Sequence, residues 1–257
     1  MPKAAKQFIA CKDAKHATVS RFWEFKNETE TAVDLYFYGD IVSDWWGAWQ
    51  EEDQYPEAIK NFLAAAGGKD LNIYINSGGG SVFAGIAIYN MLKRYTGKKT
   101  VHVDALAGSI ASVIAFADSE MPTIPSNAYL MIHKPWAGCE GNATEMRKMA
   151  ETLDAVEQGI IAIYEEHLAD GVSIETIKEL MEQETWLNGT DAAKYFRVSV
   201  GDENRIAAAV QDYTRLYCHN TPKAIADIKE PGTAEETAAD RETRNSIIAL
   251  AMAHMGE

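Results

Sequence analysis

The sequence predicts an α/β domain in which helices cover a largely parallel sheet. Three short runs, residues 71–75, 100–105 and 127–133, have the apolar and polar pattern of strands. The first two lead through small residues into helical apolar patterns at residues 82–95 and 110–117. Strands that alternate with helices favour parallel pairing, because each helix carries the chain back to the same edge of the sheet.

The remaining elements follow from the same periodicities. Alternation predicts two earlier strands, at residues 21–25 and 34–41, and helical spacing predicts a helix at residues 55–66. Ser81 is the predicted N-cap of the helix at residues 82–95, and Gly97 is its stop. Two short helices are predicted late in the chain, one at residues 173–182 and one at residues 191–196 that is capped by Thr190.

The longest predicted helix spans residues 142–168. Its apolar stripe advances by alternating steps of three and four, through Met146, Met149, Leu153, Val156, Ile160, Ile163 and His167. This spacing is a heptad seam, which is typical of one helix packed along another. The partner is either another part of the same domain or a neighbouring subunit.

We expect a polar arm at residues 1–20, one main domain at residues 21–202, and an extension at residues 203–257. The extension consists of a charged linker and short amphipathic helices. With 257 residues, 47% of them hydrophobic, the chain is long enough to bury a sizeable core.

Charge and cysteine content exclude several function classes. The formal net charge of −14 argues against nucleic acid as a partner, because a phosphate backbone would be repelled. The three cysteines lack C-x-x-C spacing and no histidine has a second ligand three or four residues away, so we expect no metal and no cofactor. We find neither a signal peptide nor an apolar run of about 20 residues, and we expect a cytoplasmic protein without membrane contact.

The candidate nucleophile lies in L-A-G-S-I-A-S-V-I-A-F-A, residues 106–117. Ser112 is the one polar residue of the predicted buried helix that follows the turn at Gly108 and Ser109. A helix N-terminus offers unpaired N–H groups to a developing negative charge, which suits a nucleophilic serine. The alternative is that Ser112 is a small core residue bonded to a carbonyl one turn earlier. For Ser77, Ser81 and Ser109 we favour turn or capping roles.

Partners for such a serine follow it in the chain. His133 ends the next buried strand and is the candidate base, and Glu184 is the candidate acid that orients it. The N–H groups of Val113 and of Gly79 or Gly80 would form the oxyanion hole.

Four stretches resemble the Clp protease proteolytic subunit (ClpP) family. They occur in the family's order and read N-S-G-G-G-S-V-F-A-G-I-A-I-Y-N, G-S-I-A-S-V-I-A, Y-L-M-I-H-K-P-W-A-G-C-E-G-N-A-T-E and E-T-W-L-N-G-T-D-A-A-K-Y. The chain is most similar to the branch encoded by phages and prophages as head-maturation proteases. The resemblance implies a ClpP/crotonase fold, Ser-His-acid endopeptidase activity and assembly into homo-oligomeric rings, which in this family are stacked through the long helix.

Carried over by position, the resemblance assigns the serine to Ser112, the histidine to His133 and the oxyanion donors to Gly80 and Val113. It also implies a substrate-binding strand formed by Gly138, Cys139, Glu140 and Gly141, together with Gly79. Three positions depart from the family pattern. Gly78 replaces a proline, Glu184 replaces an aspartate, and Phe196 replaces a glycine.

The function predicted from these features is that of an ATP-independent serine endopeptidase that cleaves scaffold or capsid protein during phage head maturation. One alternative is a housekeeping proteolytic subunit that works with an ATPase unfoldase. A second is a non-catalytic ring or scaffold subunit, and a third is a crotonase-like acyl-CoA enzyme that would not need His133 beside the serine.

Overall fold

A computed structural model describes residues 28–44, 53–202 and 220–222, which are organised around a seven-stranded sheet. Its main path runs β1 (Ala32–Phe37), β2 (Asp70–Ser77), β3 (Lys99–Gly108), β4 (Thr123–Pro125) and β7 (Ser199–Gly201), all paired in parallel. β5 (Tyr129–Ile132) also pairs in parallel with β3, and antiparallel with β6 (Thr185–Asn188). The predicted α/β class with a largely parallel sheet is confirmed.

Six helices accompany the described strands, and most lie close to their predicted bounds. They are α1 (Pro56–Ala66), α2 (Val82–Arg94), α3 (Ile110–Ala115), α4 (Ala143–Glu165), α5 (Ile174–Glu182) and α6 (Gly189–Ala192). The Ser81 hydroxyl accepts a hydrogen bond from the Ala84 N–H at 3.4 Å, so its predicted role as the N-cap of α2 is confirmed. The helix predicted at residues 191–196 is instead α6, which is capped by Asn188, not by Thr190, and ends at Ala192.

The main core lies between the sheet and the helices α1, α2 and α3. Alternate residues of the central strands point into it because successive side chains of a strand face opposite sides. Leu71, Ile73 and Ile75 of β2 are each at most 1% exposed. Every residue of α3 is buried, which explains why its sequence is apolar on all sides.

The junction between β3 and α3 differs from the prediction by three residues. The alternating pattern ends at Ala105, whereas β3 continues through Leu106 and Ala107 to Gly108. Both faces of the strand are buried there, so apolar residues replace the alternation. Because α3 begins at Ile110, Ser109 alone connects the strand to the helix.

The predicted domain bounds fall mainly on residues outside the described part. This applies to the arm at residues 1–20, to the strand at residues 21–25, and to the extension at residues 203–257 except for residues 220–222. All described residues belong to one compact unit of the chain. Within that described part, every helix is too short or too polar to cross a membrane.

The long helix α4 has two different halves. Its C-terminal half packs on the core through Ile160, Ile161 and Tyr164, which are at most 5% exposed. In its N-terminal half the apolar stripe is uncovered in the isolated chain: Met146 is 50% exposed, and Met149 and Leu153 are half-buried. Part of the heptad seam thus serves the fold of a single chain.

Two glycines give opposite responses to an added methyl group. A Cβ at Gly189 would lie 2.2 Å from the carbonyl oxygen of Ile124 and 2.5 Å from that of Pro125, and neither backbone atom can move freely. A Cβ at Gly159 of α4 would meet nothing within 4 Å. We expect Gly189→Ala to lower the free energy of unfolding by about 1–3 kcal/mol, through overpacking. Gly159→Ala should raise it by about 0.5–1 kcal/mol, because alanine favours the helix. Denaturant unfolding of both variants measures the difference, and equal stabilities would contradict this packing.

The free energy of unfolding should decrease as the pH is lowered from about 6.5 to about 4, because of His167. Its ring stacks on Phe116 at a centroid distance of 4.9 Å, and its Nε2 is buried without a hydrogen-bond partner among the described residues. Burial lowers the pKa of His167 from 6.5 to about 4. In that window the unfolded chain binds a proton that the folded chain does not, so lowering the pH favours unfolding.

The pH dependence can be isolated with one variant. In His167→Gln the free energy of unfolding should decrease less between pH 6.5 and pH 4 than in the wild type. Carboxyl groups contribute to both proteins alike, and the difference therefore reports on the imidazole. Parallel pH curves for the two proteins would show that His167 is not the group responsible.

Candidate active site

Pairing of β3 with β5 brings the candidate serine and histidine segments to one edge of the sheet. Gly108, the last residue of β3, is in register with Met131 of β5. The chain then leaves both strands at their carboxyl ends, where parallel sheets gather their functional groups. The Ser109 N–H donates to the Met131 carbonyl at 2.9 Å, which extends the pairing by one residue.

Ser109, and not Ser112, lies beside His133. The distance between Ser109 Oγ and His133 Nε2 is 2.7 Å, within hydrogen-bond range. Ser109 has φ 51° and ψ −125°, in the left-handed region that few residues other than glycine adopt. This backbone conformation turns the chain sharply from β3 into α3 and leaves the serine partly exposed.

The structure contradicts the assignment of Ser112 as the nucleophile. Ser112 is the third residue of α3, is 0% exposed, and donates its hydroxyl proton to the Ser109 carbonyl. Its oxygen also lies 2.7 Å from the Tyr164 hydroxyl. A buried hydroxyl held in this way has no access to a substrate. The alternative interpretation, a core serine bonded to a carbonyl one turn earlier, is confirmed.

A sequence signal for Ser109 was present. Ser109 is flanked two residues away by Ala107 and Ala111, small residues that permit the tight turn of a nucleophile elbow. It also stands at the position where the alternating pattern changes to a helical one. Ser112 also follows an alanine, Ala111, but it lies three residues beyond the turn and therefore not at this junction.

Glu184 immediately precedes β6, beside the end of β5 that His133 follows. In the antiparallel pair of β5 and β6, Ile132 faces Thr185, and His133 and Glu184 are the next opposed positions beyond that register. Glu184 is 8% exposed and has φ 48°, which turns the chain from α5 into β6. Its Oε1 accepts hydrogen bonds from the Asn220 N–H at 2.8 Å and from Trp186 Nε1 at 3.4 Å.

The glycines after β2 lie against the Ser109 turn. A Cβ at Gly79, whose φ is 102°, would lie 2.6 Å from the Gly108 carbonyl oxygen and 2.7 Å from Ser109 Cβ, so this close approach requires glycine. The Gly79 N–H is bonded to Ser77 Oγ at 3.1 Å. Gly80 pairs with Ile41 on one side. The Ile41 N–H donates to the Gly79 carbonyl, and the Ser81 N–H donates to the Ile41 carbonyl. In such a parallel bridge the N–H of Gly80 itself points away from Ile41.

Val113, the oxyanion donor predicted from the sequence, does not follow the serine that contacts His133. It was assigned as the residue that follows Ser112, and it lies in the second turn of the buried helix α3. With Ser109 at the turn, the corresponding residue is Ile110, whose amide opens α3 next to Gly79. Taking Ser109 as the candidate serine therefore makes Ile110, and not Val113, the candidate oxyanion donor.

A small cavity opens beside the Ser109–His133 pair. Apart from those two residues, its lining is apolar or aromatic, from Val82, Ile110, Val113, Pro135, Ile160 and Tyr164. Three different helices and the loop after β5 therefore build it. Its lining suits an apolar side chain.

The predicted substrate-binding ribbon leaves the same region. Residues 138–141, which include Cys139 and Glu140, are exposed and belong to no strand of the described structure. A Cβ at Gly138 would meet nothing within 4 Å, whereas Gly141 lies close to Glu145. Within the described ranges, no group of three or more His, Cys, Asp or Glu residues is placed to hold a metal ion.

Comparison with known proteins adds independent information on identity. A family model described as Clp protease matches residues 51–198, more than half of the chain. Similar relatives include ATP-dependent Clp protease proteolytic subunits of three bacteria. The protein of Bacteroides fragilis is 30% identical over 130 residues, which are 50% of this chain and 61% of the relative. For Ligilactobacillus salivarius the values are 36%, 49% and 64%, and for Porphyromonas gingivalis 30%, 50% and 57%.

The chain thus spans about three-fifths of the length of these curated relatives. The match includes α1 to α6, β2 to β6, and the turn that holds Ser109 beside His133. On the family match and this α/β architecture, the chain belongs to the Clp protease family.

Proposed function

We propose that this chain is a serine endopeptidase whose nucleophile is Ser109. The observation that carries the proposal is the 2.7 Å contact between Ser109 Oγ and His133 Nε2. Membership of the Clp protease family supports it. A non-catalytic subunit or an acyl-CoA enzyme would not require this pair to be in contact.

The geometry suggests a specific sequence of steps. His133 Nε2 takes the Ser109 proton as Oγ attacks the scissile carbonyl, and an acyl-enzyme forms. The imidazolium then gives that proton to the leaving amine, and water releases the acyl group by the reverse steps. The N–H groups of Ile110 and Gly80 are the proposed oxyanion donors, because Ile110 follows Ser109 at the start of α3 and the bridge to Ile41 does not use the Gly80 N–H.

We propose Glu184 as the acid that orients His133. To accept the serine proton at Nε2, the imidazole must carry its own proton on Nδ1, and a carboxylate at that atom fixes the tautomer. Support comes from the opposed positions of His133 and Glu184 and from the burial of the Glu184 side chain. A glutamate is one methylene longer than the aspartate usual in this family and fills the same role in other triads.

The proposed substrate is an extended protein segment with an apolar side chain beside the cleaved bond. The lining of the cavity next to Ser109 supports this choice, since no charged side chain takes part in it. The exposed backbone of residues 138–141 would add the segment as a further strand, through main-chain hydrogen bonds.

The exposed stripe on α4 supports assembly of several copies. Met146, Met149 and Leu153 lie on one side of a helix that continues into the core of its own chain. We propose that a second copy covers this stripe and that stacked homo-oligomeric rings result, as the family resemblance implies. Burial of three such apolar side chains would favour the association.

The biological role that we propose is cleavage of scaffold or capsid protein during phage head maturation. It rests on the resemblance of the four sequence stretches to the phage and prophage branch. Such an enzyme acts without ATP. The alternative role, as the proteolytic subunit of an ATPase-driven complex, requires a docked unfoldase.

Replacement of Ser109 tests the nucleophile. Ser109→Ala should abolish labelling by a fluorophosphonate probe and reduce hydrolysis of unfolded casein by at least about 1,000-fold, because it removes the hydroxyl that lies 2.7 Å from the base. The assay contains neither nucleotide nor unfoldase, so activity of the wild type also tests independence from ATP. Intact-mass spectrometry and gel-based cleavage measure the two effects.

The matched control is Ser173→Ala, which removes a serine at the N-cap of α5, at the opposite end of that helix from Glu184. It should label and cleave like the wild type. Full labelling of Ser109→Ala would refute the assignment. Casein cleavage only after addition of a Clp-type ATPase would favour the alternative role.

Charge placed on the α4 stripe should disrupt the contact between copies. We expect Met149→Glu/Leu153→Glu to halve the mass of the assembly in sedimentation velocity, because a contact between rings would be lost. Ala155→Glu is the matched control, since at 100° per residue it lies opposite Met146 and Leu153 on the helix. An unchanged mass in the double variant would contradict a stripe-mediated contact.

A further inference from the structure

We propose that the hydroxyl groups of Ser112 and Tyr164 form a positioning pair that holds the Ser109 turn in its reactive conformation. The inference rests on the proposed function, because it takes Ser109 as the nucleophile. Tyr164 also lines the cavity beside Ser109, but its hydroxyl is bonded to that of Ser112. Both act through the backbone of Ser109.

The direction of the hydrogen bonds follows from the atoms involved. A carbonyl oxygen can only accept, so the contact from Ser112 Oγ to the Ser109 carbonyl uses the serine proton. The 2.7 Å contact between Ser112 Oγ and the Tyr164 hydroxyl must therefore use the tyrosine proton. Burial raises the pKa of Tyr164 far above its ordinary value, and the proton stays in place at working pH. The chain of donors runs from Tyr164 to Ser112 to the Ser109 carbonyl.

Ser109 needs such an anchor because its conformation is unfavourable for a residue with a side chain. At φ 51° and ψ −125° it costs energy that the surroundings must supply. Its N–H is held by the Met131 carbonyl at 2.9 Å, and its carbonyl is held by the Ser112 N–H at 3.0 Å and by the Ser112 hydroxyl. Both peptide groups that flank the strained torsions are thus fixed, and Oγ is held toward His133.

The anchor itself is rigid. Tyr164 is 1% exposed, and its ring packs against Phe116 at 5.9 Å and Phe196 at 5.5 Å between centroids. Ser112 is 0% exposed. Tyr164 belongs to the C-terminal half of α4, so the helix with the exposed stripe also supports the nucleophile. The aromatic Phe196, at the position where the family usually has glycine, supplies one face of this packing.

The experiment uses three variants, Ser112→Ala, Tyr164→Phe and the double variant, in the full chain. Two readouts are measured: the second-order rate constant of inactivation by a fluorophosphonate, and the melting temperature. With a fluorogenic peptide that has an apolar residue at the cleaved bond, kcat and KM are separated. Tyr164→Phe keeps the ring that lines the cavity, so KM should not change.

We expect Ser112→Ala to slow inactivation about tenfold and Tyr164→Phe about threefold, because one hydrogen bond in the anchor is lost or weakened. Ser112→Ala also leaves the buried tyrosine hydroxyl unpaired and should lower the melting temperature. In the double variant that hydroxyl is gone, so the melting temperature should recover while inactivation stays about tenfold slow. If the two hydroxyl groups contributed only to stability, the double variant would recover both the melting temperature and the rate of inactivation.

Tyr95→Phe is the matched control. It removes a tyrosine hydroxyl that donates to the Lys69 carbonyl at 2.8 Å, at the far end of α2 from the site. Its rate of inactivation should equal that of the wild type. The proposal is overturned if the Ser112 and Tyr164 variants match this control in rate, or if the double variant regains the rate together with the melting temperature. Failure of the proposed function gives a different result, namely wild-type inactivation of Ser109→Ala.

Discussion

The parallel pairing of β3 with β5 is the constraint on which the candidate site depends. Its register sets Gly108 beside Met131, and the bond from the Ser109 N–H to the Met131 carbonyl continues it. A shift of one residue would turn every following side chain to the opposite face, and Ser109 would no longer meet His133. The same strand β5 pairs with β6, which carries the chain from Glu184. One strand therefore places the histidine relative to both of its proposed partners.

Local strain at Ser109 and Glu184 is balanced by strong tertiary contacts. Both residues adopt positive φ values, a conformation that favours glycine, and both lie where the chain changes from one element to another. Next to Ser109, the absence of a side chain at Gly79 leaves the space that the turn occupies. The fold thus accepts an unfavourable backbone at the positions where a side chain must be presented sharply. Burial on α3 and α4 provides the stability that such turns require.

Much of the architecture could be predicted because periodicity reports burial directly. The strands β2 and β3, the helices α1, α2 and α4, and the cap at Ser81 follow from apolar spacing and local hydrogen bonding alone. The prediction that Ser112 meets His133 fails for a related reason. Beyond Ala105 both faces of β3 are buried, so the alternation that marks a strand disappears before the strand ends. Ser112 then looked like the first polar residue of the helix, whereas Ser109 is the residue at the turn.

By itself, the sequence determined the α/β class, the order of the elements and the family resemblance, and it offered His133 and Glu184 as candidate base and acid. These properties depend on local periodicity or on residue types in a fixed order. Tertiary structure alone decided which of two serines meets the histidine, because Ser109 lies at the turn before α3, Ser112 lies inside that buried helix, and only the pairing of β3 with β5 brings the turn to His133. It also decided that Tyr164, 52 residues from Ser112 in the chain, would be its hydrogen-bond partner. Contacts of that kind leave no periodic trace, since they form only when separate elements pack.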